Sequence, residues 1–171
     1  MPGGAVPNFV FKGDGQGNFT DMTGKWIDNK PQISGATATA DLDNDGDLDI
    51  VTNNIGQPAG LYENLTNGQR NFIKLRFRLE GNNSHGIGTK VYLYQGGKLQ
   101  YKELFPNRGW QASGEQLLHF GLDRAVKIDS LRVVWPDQRS ERFDSLQLNR
   151  THTLSPVNPV RFDKIDVQKS Y

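Results

Sequence analysis

The sequence predicts an all-β protein, and three observations carry that expectation. No convincing stretch places apolar residues at the i, i+3, i+4, i+7 spacing of an amphipathic helix. Short alternating or β-branched runs instead follow one another, divided by Gly, Asn, Asp and Pro. One of these runs, Phe72-Ile73-Lys74-Leu75-Arg76-Phe77-Arg78-Leu79, alternates cleanly between apolar and basic side chains, which suits a strand with one buried and one wet face.

Taken in order, Asn8-Phe9-Val10-Phe11-Lys12 reads as a strand, Gly13-Asp14-Gly15-Gln16-Gly17-Asn18 as a glycine-rich turn, and Phe19-Thr20-Asp21-Met22-Thr23 as a second short strand. Residues 26–34 read as loop. Ala36-Thr37-Ala38-Thr39-Ala40 leads into an aspartate-rich loop, and Leu48-Asp49-Ile50-Val51-Thr52-Asn53 leads out of it, so the loop closes a long hairpin. Gly60-Leu61-Tyr62-Glu63-Asn64 begins another strand, and Asn67-Gly68 marks a turn. After the run at 72–79 come a loop at Asn82-Asn83-Ser84-His85-Gly86 and a hairpin turning at Gly96-Gly97, between Lys90-Val91-Tyr92-Leu93-Tyr94 and a return strand at 99–105. Strands follow at 117–120, 128–135 (stopping at Pro136), 138–143 and 151–154. Residues 160–167 add a further candidate strand.

Composition bounds the function. Residues 1–70 hold four Lys and Arg against nine Asp and Glu; residues 71–171 hold sixteen against ten. The net charge is only +1 and the basic residues are interspersed with acids, so no nucleic-acid partner is expected. The chain has no cysteine, which excludes disulfides, thiolate zinc sites and cysteine nucleophiles. No apolar run approaches membrane-spanning length, so membrane insertion is not expected. Met1-Pro2-Gly3-Gly4-Ala5-Val6-Pro7 lacks the charged-then-apolar pattern of a secretory leader, and the expectation is that the chain is part of a longer one.

The chemistry concentrates in Asp41-Leu42-Asp43-Asn44-Asp45-Gly46-Asp47-Leu48-Asp49, where aspartate fills every second position. Such crowding is repulsive unless a cation neutralises it. Ca²⁺ is the first candidate, because it takes 6–8 oxygen ligands in a flexible geometry, whereas Mg²⁺ demands a tighter octahedron. With Asp41 as position 1, carboxylates fall at positions 1, 3, 5 and 9, and position 7 can offer the Asp47 backbone carbonyl. Gly46 at position 6 allows the sharp bend. An EF-hand needs a Glu at position 12 and flanking helices; here position 12 is Thr52 and the flanks are strands. The alternatives to a metal loop are a solvated Asp/Asn/Gly turn and paired catalytic carboxylates.

The Asp41-x-Asp-x-Asp-Gly-x-x-Asp49 pattern followed by Ile50-Val51 resembles the calcium-binding FG-GAP (VCBS-type) repeat of integrin-like β-propellers. The likeness covers roughly residues 8–65, with Gly15-Gln16-Gly17-Asn18-Phe19-Thr20-Asp21-Met22-Thr23 and Leu61-Tyr62-Glu63-Asn64 as its flanking parts. It implies that Asp41, Asp43, Asp45, Asp47 and Asp49 form a calcium loop, with Asp47 acting through its carbonyl. Only about one blade's worth of sequence is present, so the resemblance implies a partial propeller blade. In the second half, Gly86-Ile87-Gly88-Thr89-Lys90-Val91, Leu118-His119-Phe120-Gly121-Leu122 and Leu131-Arg132-Val133-Val134-Trp135-Pro136-Asp137 resemble the ASPIC/UnbV domain. That domain follows FG-GAP repeats in cartilage acidic protein and in bacterial surface proteins. Lys90 and Asp137-Gln138 depart from it, since arginine and a glycine are usual there.

The expected organisation is an FG-GAP-like β-meander at 1–66, packed beside an ASPIC/UnbV-type β-sandwich at 67–155, with a tail at 156–171. The expected function is a non-catalytic, calcium-stabilised module for binding or adhesion, extracellular or at the cell surface, with carbohydrate or protein as ligand. Trp110, Tyr92, Tyr94 and Tyr101 are the candidate ligand platform, although aromatic residues on alternating strands also serve as core or cross-strand pairs. Two alternatives stand beside it. One is an accessory or catalytic domain of a secreted carbohydrate-active protein, with Glu103, Glu115 or Asp123 as acids. The other is a structural end-cap of a longer propeller. His85, His119 and His152 form no metal-ligand spacing, and His119 reads as a structural histidine in an apolar strand.

Overall fold

A computed structural model describes residues 4–66, 69–107 and 109–161. The Asn67-Gly68 turn expected from the sequence, and residues 162–167 of the expected last strand, lie outside the described residues. The described chain contains no helix and is an all-β fold. It divides into two compact units. The first gathers the described residues of 1–44, 48–65 and 107–114; the second gathers those of 45–47, 66–106 and 115–161.

In the first unit, β1 (Phe11–Gly13) and β2 (Phe19–Asp21) form an antiparallel hairpin around the expected glycine-rich turn. Asp14 shapes that turn: its Oδ1 accepts the Gln16 amide at 2.7 Å and its Oδ2 accepts the Asn18 side-chain amide at 2.7 Å. β3 (Ser34–Ala40), β4 (Asp49–Asn54) and β5 (Gly60–Tyr62) then make an antiparallel meander in that order. Its stabilising contacts are largely polar. Ser34 Oγ donates to Asn54 Oδ1 at 2.8 Å, Asn54 Nδ2 donates to Pro58 O at 2.9 Å, and Gln32 Nε2 donates to Tyr62 Oη at 3.1 Å.

The second unit is a two-sheet sandwich. β6 (Asn71–Phe77) is central in a three-stranded sheet, antiparallel to β9 (Leu118–Asp123) and parallel to β12 (Arg150–Leu154). A five-stranded sheet runs β13 (Val160–Arg161), β11 (Arg139–Phe143), β10 (Ser130–Val134), β7 (Lys90–Gln95), β8 (Lys98–Glu103). The alternation at 72–79 works as expected: Ile73, Leu75 and Phe77 are buried while Phe72, Lys74 and Arg76 take the other face. One apolar cluster joins those residues with Leu118, Phe120 and Leu122 of β9 and with Val91, Leu93, Leu131 and Val133 of the facing sheet. Trp135 is buried at the strand end before Pro136 and meets Phe77 edge-on, with ring centroids 5.9 Å apart. Gly96 and Gly97 both take positive φ, as a two-residue hairpin linking right-twisted strands requires.

Candidate metal centre

The aspartate loop closes the β3–β4 hairpin. The ladder runs from Ser34↔Asn54 to Ala40↔Asp49, so the chain leaves the sheet at Asp41 and re-enters at Asp49. The small alternating side chains of β3 extend as a regular strand, and the loop starts where acidic residues replace them. Asn44 and Gly46 take positive φ, 64° and 100°, and these two left-handed residues curl the loop inward.

That curl brings Asp41, Asp43 and Asp45 together. One carboxylate oxygen of each lies within 4.8 Å of the other two. Among the described residues, this is the one group of three or more His, Asp or Glu close enough to hold an ion. Asp41 and Asp45 are half-buried, and Asp41 Oδ1, Asp45 Oδ2 and Asp47 Oδ1 are shut off from solvent. Two carboxylates about 4 Å apart repel by about 1 kcal/mol in water and about 4 kcal/mol where the effective dielectric is about 20. Folding brings like charges together here, and a hard cation among three oxygens reverses the sign of that term. The donor set, all oxygen with no nitrogen or sulfur, fits Ca²⁺ or Mg²⁺ rather than zinc.

The remaining aspartates brace the loop. Asp49 is buried; its Oδ2 accepts the Leu42 amide at 2.9 Å and its Oδ1 accepts the Asn64 amide at 2.9 Å, which ties both ends of the loop to β4 and to the chain after β5. Each oxygen keeps a second lone pair with which to meet an ion. The Asp47 amide donates to Asp45 Oδ1 at 3.0 Å, and Asp47 Oδ2 accepts from Thr66 Oγ1 at 3.0 Å. Asn64 Nδ2 also donates to Leu48 O at 3.4 Å. Asn64 and Thr66 are therefore loop-shaping residues that the nine-residue motif does not reveal, since the motif carries no information about the later strand.

Gly46 is buried, and within the second unit its surroundings are close. A Cβ at this position would fall 1.9 Å from Phe72 Cε1, so no other residue fits without moving the ring. Gly46 O lies 2.7 Å from His119 Nε2. A carbonyl can only accept, so that nitrogen carries the proton. His119 stacks on Phe72, with centroids 5.6 Å apart and planes at 11°. The partner of this apolar-strand histidine is the tip of the aspartate loop.

Of the four candidate platform residues, Tyr92 and Tyr101 are cross-strand partners with ring centroids 5.0 Å apart, and Tyr94 follows Tyr92 on the same face of β7. Tyr101 Oη donates to Glu103 Oε2 at 3.1 Å; partial burial first, then that carboxylate, raise the phenol pKa above its usual value. Trp110 belongs to the first unit and is largely exposed, so the four do not form one cluster within a unit. Each candidate acid has a partner of its own: Glu115 pairs with Arg76 at 3.0 Å, Asp123 with Arg70 at 2.7 Å, and Glu103 takes the Tyr101 hydroxyl.

Two family models match the chain. The FG-GAP-like repeat matches residues 3–52, and the domain described as ASPIC and UnbV matches residues 79–160. A comparison with curated proteins found no match.

Proposed function

For a chain that is an FG-GAP-like repeat followed by an ASPIC and UnbV domain, we propose the role of a calcium-stabilised, non-catalytic binding module at the cell exterior. The observation that carries this reading is the convergence of Asp41, Asp43 and Asp45 on a hairpin loop with oxygens closed off from water. In it, Asp41, Asp43, Asp45 and Asp49 supply carboxylates and Asp47 supplies its backbone carbonyl to Ca²⁺. The ion's task is structural: it holds a loop whose charges would otherwise drive it open. The repeat centres on the first unit and the sandwich on the second, whose five-stranded sheet continues to β13 (Val160–Arg161), beyond the expected end at 155. Carbohydrate or protein at a cell surface is the ligand, with Tyr92, Tyr94 and Tyr101 on one sheet face as the contact in the sandwich and Trp110 as a separate one.

Extracellular modules typically bind calcium with Kd of about 10⁻⁴–10⁻³ M. Calcium therefore raises the melting temperature at millimolar concentration by binding the native state alone, and Asp45→Ala removes the rise. Identical melts in calcium and in chelator would refute the metal role. A glycan array run beside a protein pull-down tests the ligand; silence in both would leave the end-cap of a longer propeller as the better reading. That reading has its own support in the large apolar side chains that the first unit leaves exposed, among them Phe9, Phe19, Leu61 and Leu65.

A further inference from the structure

We infer that Phe72 and His119 are positioning residues for the cation loop, acting through Gly46, and that the site is incomplete without them. The inference rests on the calcium reading above and extends it to residues far downstream of the aspartate motif. His119 lies 73 positions from Gly46.

The argument starts from the bend. A loop that gathers carboxylates at positions 1, 3 and 5 must turn sharply at position 6, and Gly46 does so at φ 100°. Glycine is also the residue with the most conformational freedom to lose, so on its own this bend is the loosest point of the loop. The structure fixes it from two directions. The Phe72 ring lies so close that even a methyl group at Gly46 would overlap it. The His119 Nε2 proton holds the Gly46 carbonyl at 2.7 Å, which sets the peptide plane between Gly46 and Asp47. Asp45 and Asp47 flank this fixed glycine, and the Asp47 amide in turn holds Asp45 Oδ1 at 3.0 Å.

Phe72 and His119 are themselves well placed to be rigid. They stack on each other from neighbouring strands β6 and β9, on the face opposite the apolar cluster. Phe72 is further tied through its backbone to Asn149: its amide donates to Asn149 Oδ1 at 3.0 Å, and its carbonyl accepts the Asn149 amide at 2.7 Å. A loop curled in advance loses less freedom when the ion arrives, so affinity rises with no added ligand. Partners that orient metal ligands in this way commonly change affinity by about 10–100-fold when removed.

The test is calcium affinity of the whole chain, measured by calorimetry and by displacement of terbium luminescence, for wild type, His119→Leu, His119→Gln, Phe72→Leu and Asp45→Ala. The apo melting temperature of each is recorded in parallel. His119→Leu and Phe72→Leu should weaken calcium binding about tenfold. His119→Gln, which keeps an N–H to offer the Gly46 carbonyl, should recover most of the loss. Should His119→Leu fail to fold, Gly46→Ala probes the same contact from the loop side and is expected to weaken binding likewise. Calcium binding in the wild type that is unchanged in His119→Leu, Phe72→Leu and Gly46→Ala would overturn the positioning role while leaving the metal site standing. Losses that track the apo melting temperature, with no rescue by His119→Gln, would overturn it too. A wild type that binds no calcium would overturn the site and the positioning role together.

Discussion

The two units solve the problem of staying folded in different ways. The second buries a continuous apolar cluster: Ile73, Leu75, Val91, Leu93, Phe120, Leu131 and Val133 are completely shielded from solvent. Among the described residues, the first buries only Ile27 of its large apolar side chains, and that one marginally, at 9% exposed. Its buried positions are polar instead: Gln32, Asp49, Thr52 and Asn54. Hydrophobic burial scales with area at about 25 cal/mol per Å², so the sandwich draws on a term that the meander nearly lacks. Hydrogen bonds give the meander about 1 kcal/mol net each. The ion we propose, binding only the folded loop, would supply a contribution the sandwich does not need.

Three changes and one titration would break or sharpen that contrast. The largest effect is expected in the sandwich core. Phe120→Ala should cost about 3–5 kcal/mol through lost burial and a residual cavity, read as a lower denaturation midpoint in calcium and in chelator alike. Withdrawing calcium comes next. Millimolar calcium is about 1–10 times the expected dissociation constant and contributes about 0.4–1.4 kcal/mol, so chelation should lower the melting temperature of the wild type and leave Asp45→Ala unmoved. Third is Gln138→Gly. Gln138 takes φ 66° in the β10–β11 turn, where a left-handed residue is needed and the ASPIC/UnbV resemblance leads one to expect a glycine. Relieving that strain should add up to about 1 kcal/mol by thermal melt. The smallest effect is local to the first unit. The Asn18 side-chain amide, then the Gln16 amide, hold the Asp14 pKa below its ordinary value. A group shifted down favours the fold above its unfolded pKa and loses that contribution as pH falls through the folded pKa. An NMR titration of the Asp14 carboxyl should therefore show a midpoint below that of an unstructured aspartate.

The sequence was a good guide wherever the signal was local. Period-two alternation placed Ile73, Leu75 and Phe77 on the buried face of β6, because side-chain direction in a strand depends only on parity. Gly96-Gly97 marked its hairpin because positive φ at two successive positions strongly favours glycine. The aspartate spacing brought Asp41, Asp43 and Asp45 together because Gly46 and Asn44 set the curl within the same nine residues. Non-local pairing was out of reach. Nothing in Arg150-Thr151-His152-Thr153-Leu154 says that it lies parallel to β6, since alternation fixes a face and not a neighbour. Trp110 sits in a stretch with no periodicity, and its membership of the first unit depends on contacts formed only in the fold. His119 reads from sequence as a structural histidine in an apolar strand; the identity of its Nε2 partner, Gly46 O, required the tertiary structure.

The most direct test of this account is backbone hydrogen exchange on the whole chain, with and without calcium. Amides of β3, β4 and β5, together with those of Leu42 and Asn64 that close on Asp49, should gain strong protection when calcium is added and lose it in chelator. The core amides of Leu93, Phe120 and Val133 should exchange slowly in both. Equal protection of the meander in the two conditions would contradict the claim that an ion stands in for the core the first unit lacks.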